Sequence, residues 1–343
     1  MRQATSTPSA SRRKAIAVAS RWACALAATT AGLLSAPASA QDTNWPTKPI
    51  KLIVPFPAGS FTDTVARVMS DSLSKSLGQP VIVDNKVGAN GVIGVSEAAR
   101  AAPDGYTLMI TNSSSITINP LIYRKIAYKP SDFTPITAIL EAPFLLVVNP
   151  EWSKRNSIES VNDLVQFAKR NPGTLSYGSP GPGNIAHLSY AQLSNRAKIS
   201  TVHVPYKSTA QAQLAVIAGE LQTSFDTWGA IPHIKAGKLK ALAVTAPKRL
   251  AQLPDVPTME QAGMPDFNMT FWIGMLAPAG TPAPIVQKLS ALSHAMLDDS
   301  RVKTALGMQG DVVMQEPAAF AKRIEAEIPA WAAVIKTEAI ALD

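Results

Sequence analysis

Short apolar runs alternate with amphipathic segments along most of this chain, and that alternation constrains its fold more than any other feature. A buried strand is predicted at residues 51–56, and the segment after it places Val65, Met69 and Leu73 on one helical face. Strands that alternate with helices are typical of α/β proteins whose sheets are covered on both faces. The sequence therefore predicts an α/β fold with mainly parallel sheets.

The alternation runs through the chain in two blocks. Further strands are predicted at residues 80–83, 107–111, 144–149, 175–178, 201–205, 221–225, 241–245 and 270–276. Further helices are predicted at residues 92–99, 160–170, 209–218, 230–236, 282–297 and 317–336, and directly after Asn184. The blocks hold about 100 and 120 residues, a size typical of separate compact units, so two α/β lobes are expected. The linkers are not rich in Gly and Ser, which favours lobes joined through strands.

The first 40 residues have the pattern of an export signal. A basic region that ends at Arg21 precedes an apolar stretch at residues 22–34, and Ala38-Ser39-Ala40 offers a cleavage site. The apolar stretch is shorter than the roughly 20 residues that a membrane span needs. Residues 1–40 are therefore predicted to be a signal peptide cleaved after Ala40, which makes the mature protein periplasmic. A short N-terminal helix of the mature protein is the alternative.

Charge and cysteine content argue against several classes of protein. The net charge of +8 comes from 32 basic and 24 acidic residues, but residues 1–40 hold five bases and no acid. The other 27 bases form no run with interleaved aromatic residues, so no nucleic-acid partner is expected. The single cysteine, Cys24, excludes a disulfide scaffold. No Cys/His cluster has metal-site spacing, so neither a metal nor a cofactor is expected.

Three loops follow predicted strands and precede predicted helices, where α/β sheets bind ligands. They span residues 55–63, 112–115 and 179–184. Ala58, Gly59 and Ser60 lack bulk, so their backbone N–H groups can approach an anion, which a helix dipole favours. Matching loops in two lobes indicate a shared cleft, although ordinary turns with glycine remain an equal alternative.

Enzyme and nucleotide-binding motifs are weak in this sequence. Gly181-x-Gly183-x-x-Ala186 imitates a dinucleotide fingerprint, but the next predicted strand does not end in an acid. No G-x-S-x-G elbow occurs, and the three loops contain no Lys or Arg. Loops without a nucleophile and base favour a binding module over an enzyme.

Several ordered blocks carry a resemblance to a known family. They are WPTKPIKLIVPFPAG at 45–59, TD at 62–63, PDGYTL at 103–108, VHVPYK at 202–207, PHIKAG at 232–237, ALAVT at 241–245, LPDVPT at 253–258 and LAPAGTP at 276–282. Through these blocks, residues 45–341 resemble the Bug (TctC-like) extracytoplasmic solute receptors of tripartite tricarboxylate transport systems.

The resemblance implies a periplasmic-binding-protein fold, in which two α/β lobes joined by crossing strands close on a ligand. The first lobe would comprise residues 41–143 and 271–343, and the second lobe residues 144–270. The implied ligand is a small carboxylate, often a dicarboxylate. The implied partners are the membrane subunits of a tripartite tricarboxylate transporter, or a sensor kinase that the receptor informs. A monomer is expected.

Carried over by position, the resemblance also implies the residues of the ligand site. Those of the first wall would be Phe56, Ala58, Gly59, Ser60 and Asp63, flanked by Asn112 and Ser113. Those facing them would be Ser179, Gly181, Asn184, His187 and Asp226. The residues alone leave alternatives open, because His187 fits polar packing and Asp226 fits a helix cap.

One position departs from the family pattern. Relatives usually carry a second glycine before Thr-Asp, whereas this chain has Ser60-Phe61. The Phe61 ring would narrow the cleft or provide an apolar wall for an aromatic carboxylate, unless it packs under the helix. The competing function is an exported hydrolase that uses His187 and a nearby serine.

Overall fold

Two mixed β-sheets organise this protein, and they lie within residues 44–337, the part that this computed structural model describes. The strands are β1 Ile50–Val54, β2 Val81–Asn85, β3 Thr107–Asn112, β4 Phe133–Pro143, β5 Leu145–Val148, β6 Leu175–Ser179, β7 Thr201–Pro205, β8 Thr223–Asp226, β9 Lys240–Val244, β10 Thr270–Pro278 and β11 Asp311–Gln315. The predicted signal peptide and its cleavage site after Ala40 lie outside the described residues.

Helices separate most of these strands. They are α1 Phe61–Leu77, α2 Val92–Ala99, α3 Asn119–Ile122, α4 Pro150–Arg155, α5 Val161–Arg170, α6 Ile185–Ala197, α7 Thr209–Ala218, α8 Ile231–Lys235, α9 Ala283–Ala295, α10 Ser300–Gly307 and α11 Pro317–Thr337. A π-helical turn at Ser114–Ile118 takes up the second half of the loop that was predicted at residues 112–115. Among residues 44–337, no helix combines the length and apolar character needed to cross a membrane.

The strand orders confirm the predicted two-lobe α/β class. The first lobe is built on a six-stranded sheet of order β11-β4-β10-β3-β1-β2. The second lobe is built on a five-stranded sheet of order β7-β6-β8-β5-β9. The chain leaves the first sheet after β4, forms the second sheet, and returns through β10. The lobe boundaries given above for residues 143/144 and 270/271 stay a prediction.

The expectation of mainly parallel sheets is wrong. In the first lobe β1 is parallel to β2 and β3, but β10 is antiparallel to β3 and β4. In the second lobe β6 is parallel to β7 and β8, but β5 is antiparallel to β8 and β9. Two consecutive strands of one sheet that are joined by a helical crossover run parallel to each other. Strands β5 and β10 each enter their sheet from the other lobe, so no such crossover sets their direction.

Thr245 ties the two crossing segments together where the lobes meet. Its side chain is fully buried, and its hydroxyl accepts a hydrogen bond from the Phe144 N–H at 2.8 Å and donates one to the Met269 carbonyl. Its backbone N–H donates to the Phe144 carbonyl at 2.9 Å, and its carbonyl accepts from the Met269 N–H at 3.2 Å. One residue therefore fixes both crossings.

Close packing around β10 holds the core of the first lobe. The rings of Trp272 and Phe320 meet edge to face at 4.8 Å, and the Trp272 Nε1–H donates to Glu327 at 2.8 Å. Gly274 lies under the Phe320 ring, where an added Cβ would come within 2.4 Å of a ring carbon. Helix α11 can therefore seat this ring on the sheet only because residue 274 has no side chain.

The Gly274→Ala variant is expected to lose about 1–3 kcal/mol of unfolding free energy, because the methyl group overpacks a closely packed core. Chemical denaturation measures this loss. The matched control is Gly307→Ala in α10, where nothing lies within 4 Å of an added Cβ, and this variant should keep its stability. Equal stability of the two variants would contradict the packing argument.

Candidate ligand-binding site

A cavity lies where loops from the two lobes meet, at the ends of strands in both sheets. From the first lobe it is lined by Phe56, Ser60, Phe61, Thr62 and Asn112. From the second lobe it is lined by Pro180, Asn184, Ile185, Ser208, Thr209 and Thr227. Phe144 and Phe271, from the two crossings, complete the lining. We call this space the first cavity.

Three helix N-termini converge on the first cavity. The residues that cap α1, α6 and α7 are Ser60, Asn184 and Ser208, and all three line it. Each cap side chain accepts a hydrogen bond from a backbone N–H in its own first turn, at distances of 3.0–3.3 Å. Since each N-terminus carries about half a positive charge, the three together favour an anion between the lobes.

Aromatic rings form the apolar side of the first cavity. The Phe61 ring meets the Phe271 ring edge to face at 5.3 Å, and the Phe144 and Phe271 rings lie 4.9 Å apart. Phe61 is thus both a wall residue and packed against a neighbouring ring. Apolar walls exclude water, which strengthens the polar contacts of a bound group.

Asp63 shapes the loop that precedes α1, although it lies outside the lining of the first cavity. Its buried carboxylate accepts hydrogen bonds from the Gly59 N–H at 2.8 Å, from Arg67 at 2.8 Å and from Asn85 at 2.9 Å. Burial raises the pKa of this carboxyl, but these hydrogen bonds outweigh burial and hold its pKa below the ordinary value. The ionised carboxylate keeps Gly59 in its left-handed conformation, with φ of 75°.

Hydrogen bonds between the lobes run beside the first cavity. The Tyr123 hydroxyl donates to the Pro182 carbonyl at 3.0 Å. The Ile185 N–H donates to the Ser114 hydroxyl at 3.1 Å, and the Asn184 amide to the Asn90 side chain at 3.4 Å. The π-helical turn and the loop before α2 therefore contact the loop that begins α6. These contacts hold the two lobes together.

His187 supports the loop that precedes α6. Its Nδ1 accepts from the Gly183 N–H at 3.1 Å, and its ring stacks on His203 with centroids 4.2 Å apart. The Ser179 hydroxyl pairs with Nε2 of His203 at 2.7 Å. Burial lowers the pKa of both imidazoles to about 4, and His187 further lowers that of His203. Both rings are therefore neutral at pH 7 and act as hydrogen-bonding supports.

Asp226 lies at the end of β8, next to a residue that lines the first cavity. The carboxyl group is fully buried, and it accepts hydrogen bonds from Gln213 at 3.0 Å and from the Thr227 N–H at 2.7 Å. Burial raises its pKa to about 7, against the smaller lowering from these two donors. Asp226 thus orients Thr227, which lines the first cavity, although Asp226 itself does not line it.

The structure divides the thirteen predicted site residues into two groups. Those that line the first cavity are Phe56, Ser60, Phe61, Asn112 and Asn184. Those outside this lining are Ala58, Gly59, Asp63, Ser113, Ser179, Gly181, His187 and Asp226. Several of the second group shape the same loops, as described for Asp63, Ser179 and His187. Their part in ligand binding stays a prediction.

Sequence reasoning missed Ser208, Thr209 and Thr227, which supply hydroxyl groups, and the crossing residues Phe144 and Phe271. The loop before α7 follows β7 and begins a capped helix, the same strand–loop–helix pattern that singled out the other loops. That signal was available in the sequence. The two phenylalanines carry no such signal, because each lies beside or within a strand that only the assembled fold brings to the cavity.

A protein metal site requires several ligating side chains close together. Among residues 44–337, no three His, Cys, Asp or Glu side chains are grouped closely enough to hold a metal ion.

Comparison with known proteins gives consistent results. Residues 65–340 match the family model described as the tripartite tricarboxylate transporter family receptor. Protein BugT of Bordetella pertussis is 35% identical over 311 residues, which cover 90% of this chain and 93% of BugT.

Three solved structures are similar throughout. The periplasmic binding protein BugD has a TM-score of 0.80 and 32% identity, covering 87% of this chain and 99% of BugD. The R. palustris protein Rpa4515, solved with adipate, has a TM-score of 0.81 and 34% identity, covering 87% and 99% of the two chains. MatC of Rhodopseudomonas palustris, solved with bound malate, has a TM-score of 0.79 and 32% identity, covering 85% and 100%.

Removing one contact between the lobes should shift the population toward a more open form. Tyr123→Phe deletes the hydrogen bond to Pro182, worth about 0.5–1.5 kcal/mol. We expect a larger radius of gyration by small-angle X-ray scattering. Tyr106→Phe is the matched control, because its hydroxyl bonds Thr47 within the first lobe. Identical scattering from both variants would contradict a closing role for Tyr123.

Asp226 should make stability depend on pH. With a folded pKa of about 7, the folded state keeps a proton between pH 4 and pH 7 that the unfolded state has lost. Ionised Asp226 therefore costs stability as pH rises. Relative to the wild type, the unfolding free energy of Asp226→Asn should therefore rise by roughly 1 kcal/mol per pH unit in this window. Denaturant unfolding at a series of pH values measures the difference. The control Asp255→Asn, at an exposed site, should show the same pH dependence of stability as the wild type. If the stability of Asp226→Asn also followed that of the wild type at every pH, the raised pKa of Asp226 would be contradicted.

Proposed function

The chain belongs to the tripartite tricarboxylate transporter receptor family, and we propose that it captures a small carboxylate between its lobes. The family is one of solute receptors rather than enzymes. The observation that carries the proposal is the convergence of three helix N-termini on one cavity between the lobes. Such an arrangement offers an anion several N–H donors and aligned dipoles.

The polar groups of the first cavity suit reversible capture. All thirteen residues that line it are uncharged, and the polar ones are Ser, Thr and Asn. A carboxylate held by neutral donors forms charge-assisted hydrogen bonds without a fixed countercharge. The ligand can therefore be bound and released without separating a buried ion pair, which is costly.

A dicarboxylate is the ligand class that the relatives support. Malate and adipate, found in two similar proteins, both carry two carboxylates. An aromatic carboxylate is the second candidate, because Phe61, Phe144 and Phe271 bring three rings to the cavity. We propose that the rings exclude water from the bound carboxylate in either case.

The proposed setting is the periplasm, reached through the predicted signal peptide. The similar protein BugD is a periplasmic binding protein. We propose that this receptor works as a monomer and delivers its ligand to the membrane subunits of a tripartite tricarboxylate transporter. Signalling to a sensor kinase is the alternative use of the same binding event.

The hydrolase alternative gains no support from the site. The pKa of His187 is lowered to about 4, and its Nδ1 is occupied by the Gly183 N–H. The Ser179 hydroxyl that pairs with His203 of β7 also donates to the Gly181 carbonyl and accepts from the Gly181 N–H, so its hydrogen bonds are made within the protein. An imidazole with so low a pKa is a weak general base at neutral pH.

Thermal unfolding against a panel of carboxylates tests the proposal, using protein purified from the periplasm of an expressing bacterium. The panel comprises malate, succinate, adipate, hexanoate, benzoate and terephthalate. A carboxylate at 100 times its Kd adds about 2.7 kcal/mol to the folded state. Protein that is unfolded and refolded before the assay excludes a retained natural ligand. Absence of any shift after refolding would overturn the carboxylate assignment.

A charge placed in the wall should weaken this response. Asn112→Asp puts a carboxylate in the first cavity with little change of shape, and like charges should lower carboxylate affinity by about tenfold or more. Asn162→Asp is the matched control, on the exposed face of α5, and should bind normally. Equal affinities in calorimetric titration would place the carboxylate elsewhere.

A further inference from the structure

Asp226 is fully buried, and within residues 44–337 it has no basic partner, although it adjoins a residue of the first cavity. We propose that Asp226 takes up a proton from solvent when a carboxylate fills this cavity, so that ligand capture is coupled to protonation of one side chain. This inference rests on the proposed function, because it assumes that an anion occupies the cavity. It adds a residue that controls affinity without lining the cavity.

Two hydrogen bonds connect the Asp226 carboxyl group to the lining of the first cavity. Its Oδ1 accepts from the N–H of Thr227, which is a lining residue, at 2.7 Å. Its Oδ2 accepts from the Gln213 side chain at 3.0 Å. Gln213 lies in the second turn of α7, and the residue that caps this helix, Ser208, also lines the cavity. A negative charge on Asp226 therefore acts close to the place where the charge of the ligand would lie.

An ionised Asp226 would oppose the binding of a carboxylate in two ways. The two negative charges repel each other, and salt screens buried charges much less than exposed ones. A negative charge beside α7 also offsets the positive end of this helix, which is one of the three that favour an anion in the cavity. A carboxylate therefore binds better when Asp226 is neutral, and by reciprocity its binding favours protonation of Asp226.

The two buried acids near the first cavity differ in their partners. Burial raises the pKa of Asp63, but its hydrogen bonds, including one from Arg67 at 2.8 Å, hold this pKa below the ordinary value. Asp226 receives only two uncharged donors, and burial raises its pKa to about 7. Asp63 therefore stays ionised whether or not the cavity is filled, whereas Asp226 can change its charge near neutral pH.

The described groups that face Asp226 from neighbouring elements keep one charge state between pH 6 and pH 9. Strand β8 lies between β5 and β6 and contacts α6 and α7. Strand β5 and helix α7 contain no titratable side chain. Strand β6 contains Tyr177, and α6 contains His187, Tyr190 and Arg196. Burial raises the pKa of both tyrosines and lowers that of His187 to about 4, while the arginine stays charged. The residues that line the cavity from the first lobe are uncharged.

Isothermal titration calorimetry across a pH series tests the coupling, using protein that has been unfolded and refolded. The probes are malate, succinate, adipate, hexanoate, benzoate and terephthalate, and each is titrated at pH 6, 7, 8 and 9, where carboxylic acids are ionised. Affinity should stay level up to about pH 7, because free and bound protein both hold the proton. It should then fall by about tenfold or more by pH 9, a typical strength of coupling between two sites.

The same method counts the protons that are taken up. Titrations at pH 8 in Tris and in HEPES give different heats, because these buffers differ in their heat of ionisation. The difference yields the number of protons bound with each carboxylate. A bound pKa one unit above the free value predicts an uptake of about 0.4 proton at pH 8, and a larger rise in pKa predicts more.

Three variants assign the proton to Asp226. Asp226→Asn is neutral at every pH, so it should match the affinity of the wild type at pH 6, keep that affinity at pH 9 and take up no proton. Gln213→Met removes a donor that lowers the pKa of Asp226, so the fall in affinity should begin at a higher pH. Asp255→Asn, at an exposed site, should give the pH profile of the wild type.

The outcomes separate this inference from the proposed function. Wild-type affinity that is the same from pH 6 to pH 9, without proton uptake, would overturn the coupling but leave carboxylate capture intact. A pH dependence that persists in Asp226→Asn would also overturn it. If thermal unfolding shows that Asp226→Asn does not fold, an unshifted profile for Gln213→Met overturns the coupling instead. If none of the six carboxylates binds refolded protein, the proposed function fails and this inference falls with it.

Discussion

The hydrogen bonds of Thr245 are the constraint on which the rest of the structure depends. Its hydroxyl joins the Phe144 N–H to the Met269 carbonyl, so the segment that leaves the first lobe is tied to the segment that returns to it. A buried hydroxyl that both donates and accepts satisfies two backbone groups that water cannot reach. Two independently built sheets are thereby held with their loops facing one another.

That arrangement explains how neutral side chains can form the proposed anion site. The helices α1, α6 and α7 start at the ends of different strands, and only the junction of the lobes brings their first turns together. Buried supports then fix the loops: Asp63 accepts from Gly59, and His187 accepts from Gly183. The chemistry of the cavity is thus supplied mainly by backbone orientation, and side chains behind the wall maintain it.

Much of this could be predicted from the sequence because the signals were local. The helix from Phe61 to Leu77 has an N-cap at Ser60 and a left-handed glycine at Gly78, and both are visible as residue types. Strand β4 was missed, because Pro135 and Pro143 lie within it and proline argues against a strand. Strand β11 was also missed. It is a short edge strand, and its pairing with β4 joins residues far apart in the chain.

The same distinction between local and long-range signals decides which residues of the site could be predicted. The loops at Ser60 and Asn184 were predicted because strand, loop and helix follow one another in sequence. Phe144 and Phe271 could not be predicted as cavity residues, since their rings meet through the crossing of the lobes. The expectation of parallel sheets failed for the same reason: a strand arriving from another lobe is not subject to the crossover rule that links neighbouring strands.

The passage from β4 to β5 through Phe144 alone has a consequence for how such a receptor can change. Any rotation of one lobe on the other must bend the chain at or near a residue that also lines the binding cavity. Phe144 thus belongs both to the hinge and to the lining of the cavity. A substitution that changes its ring therefore also alters how the lobes close. Adaptation to new ligands is therefore easier at cavity positions such as Thr62, Ser208 and Thr209, which belong to no crossing strand. The hinge residue itself is the more constrained position.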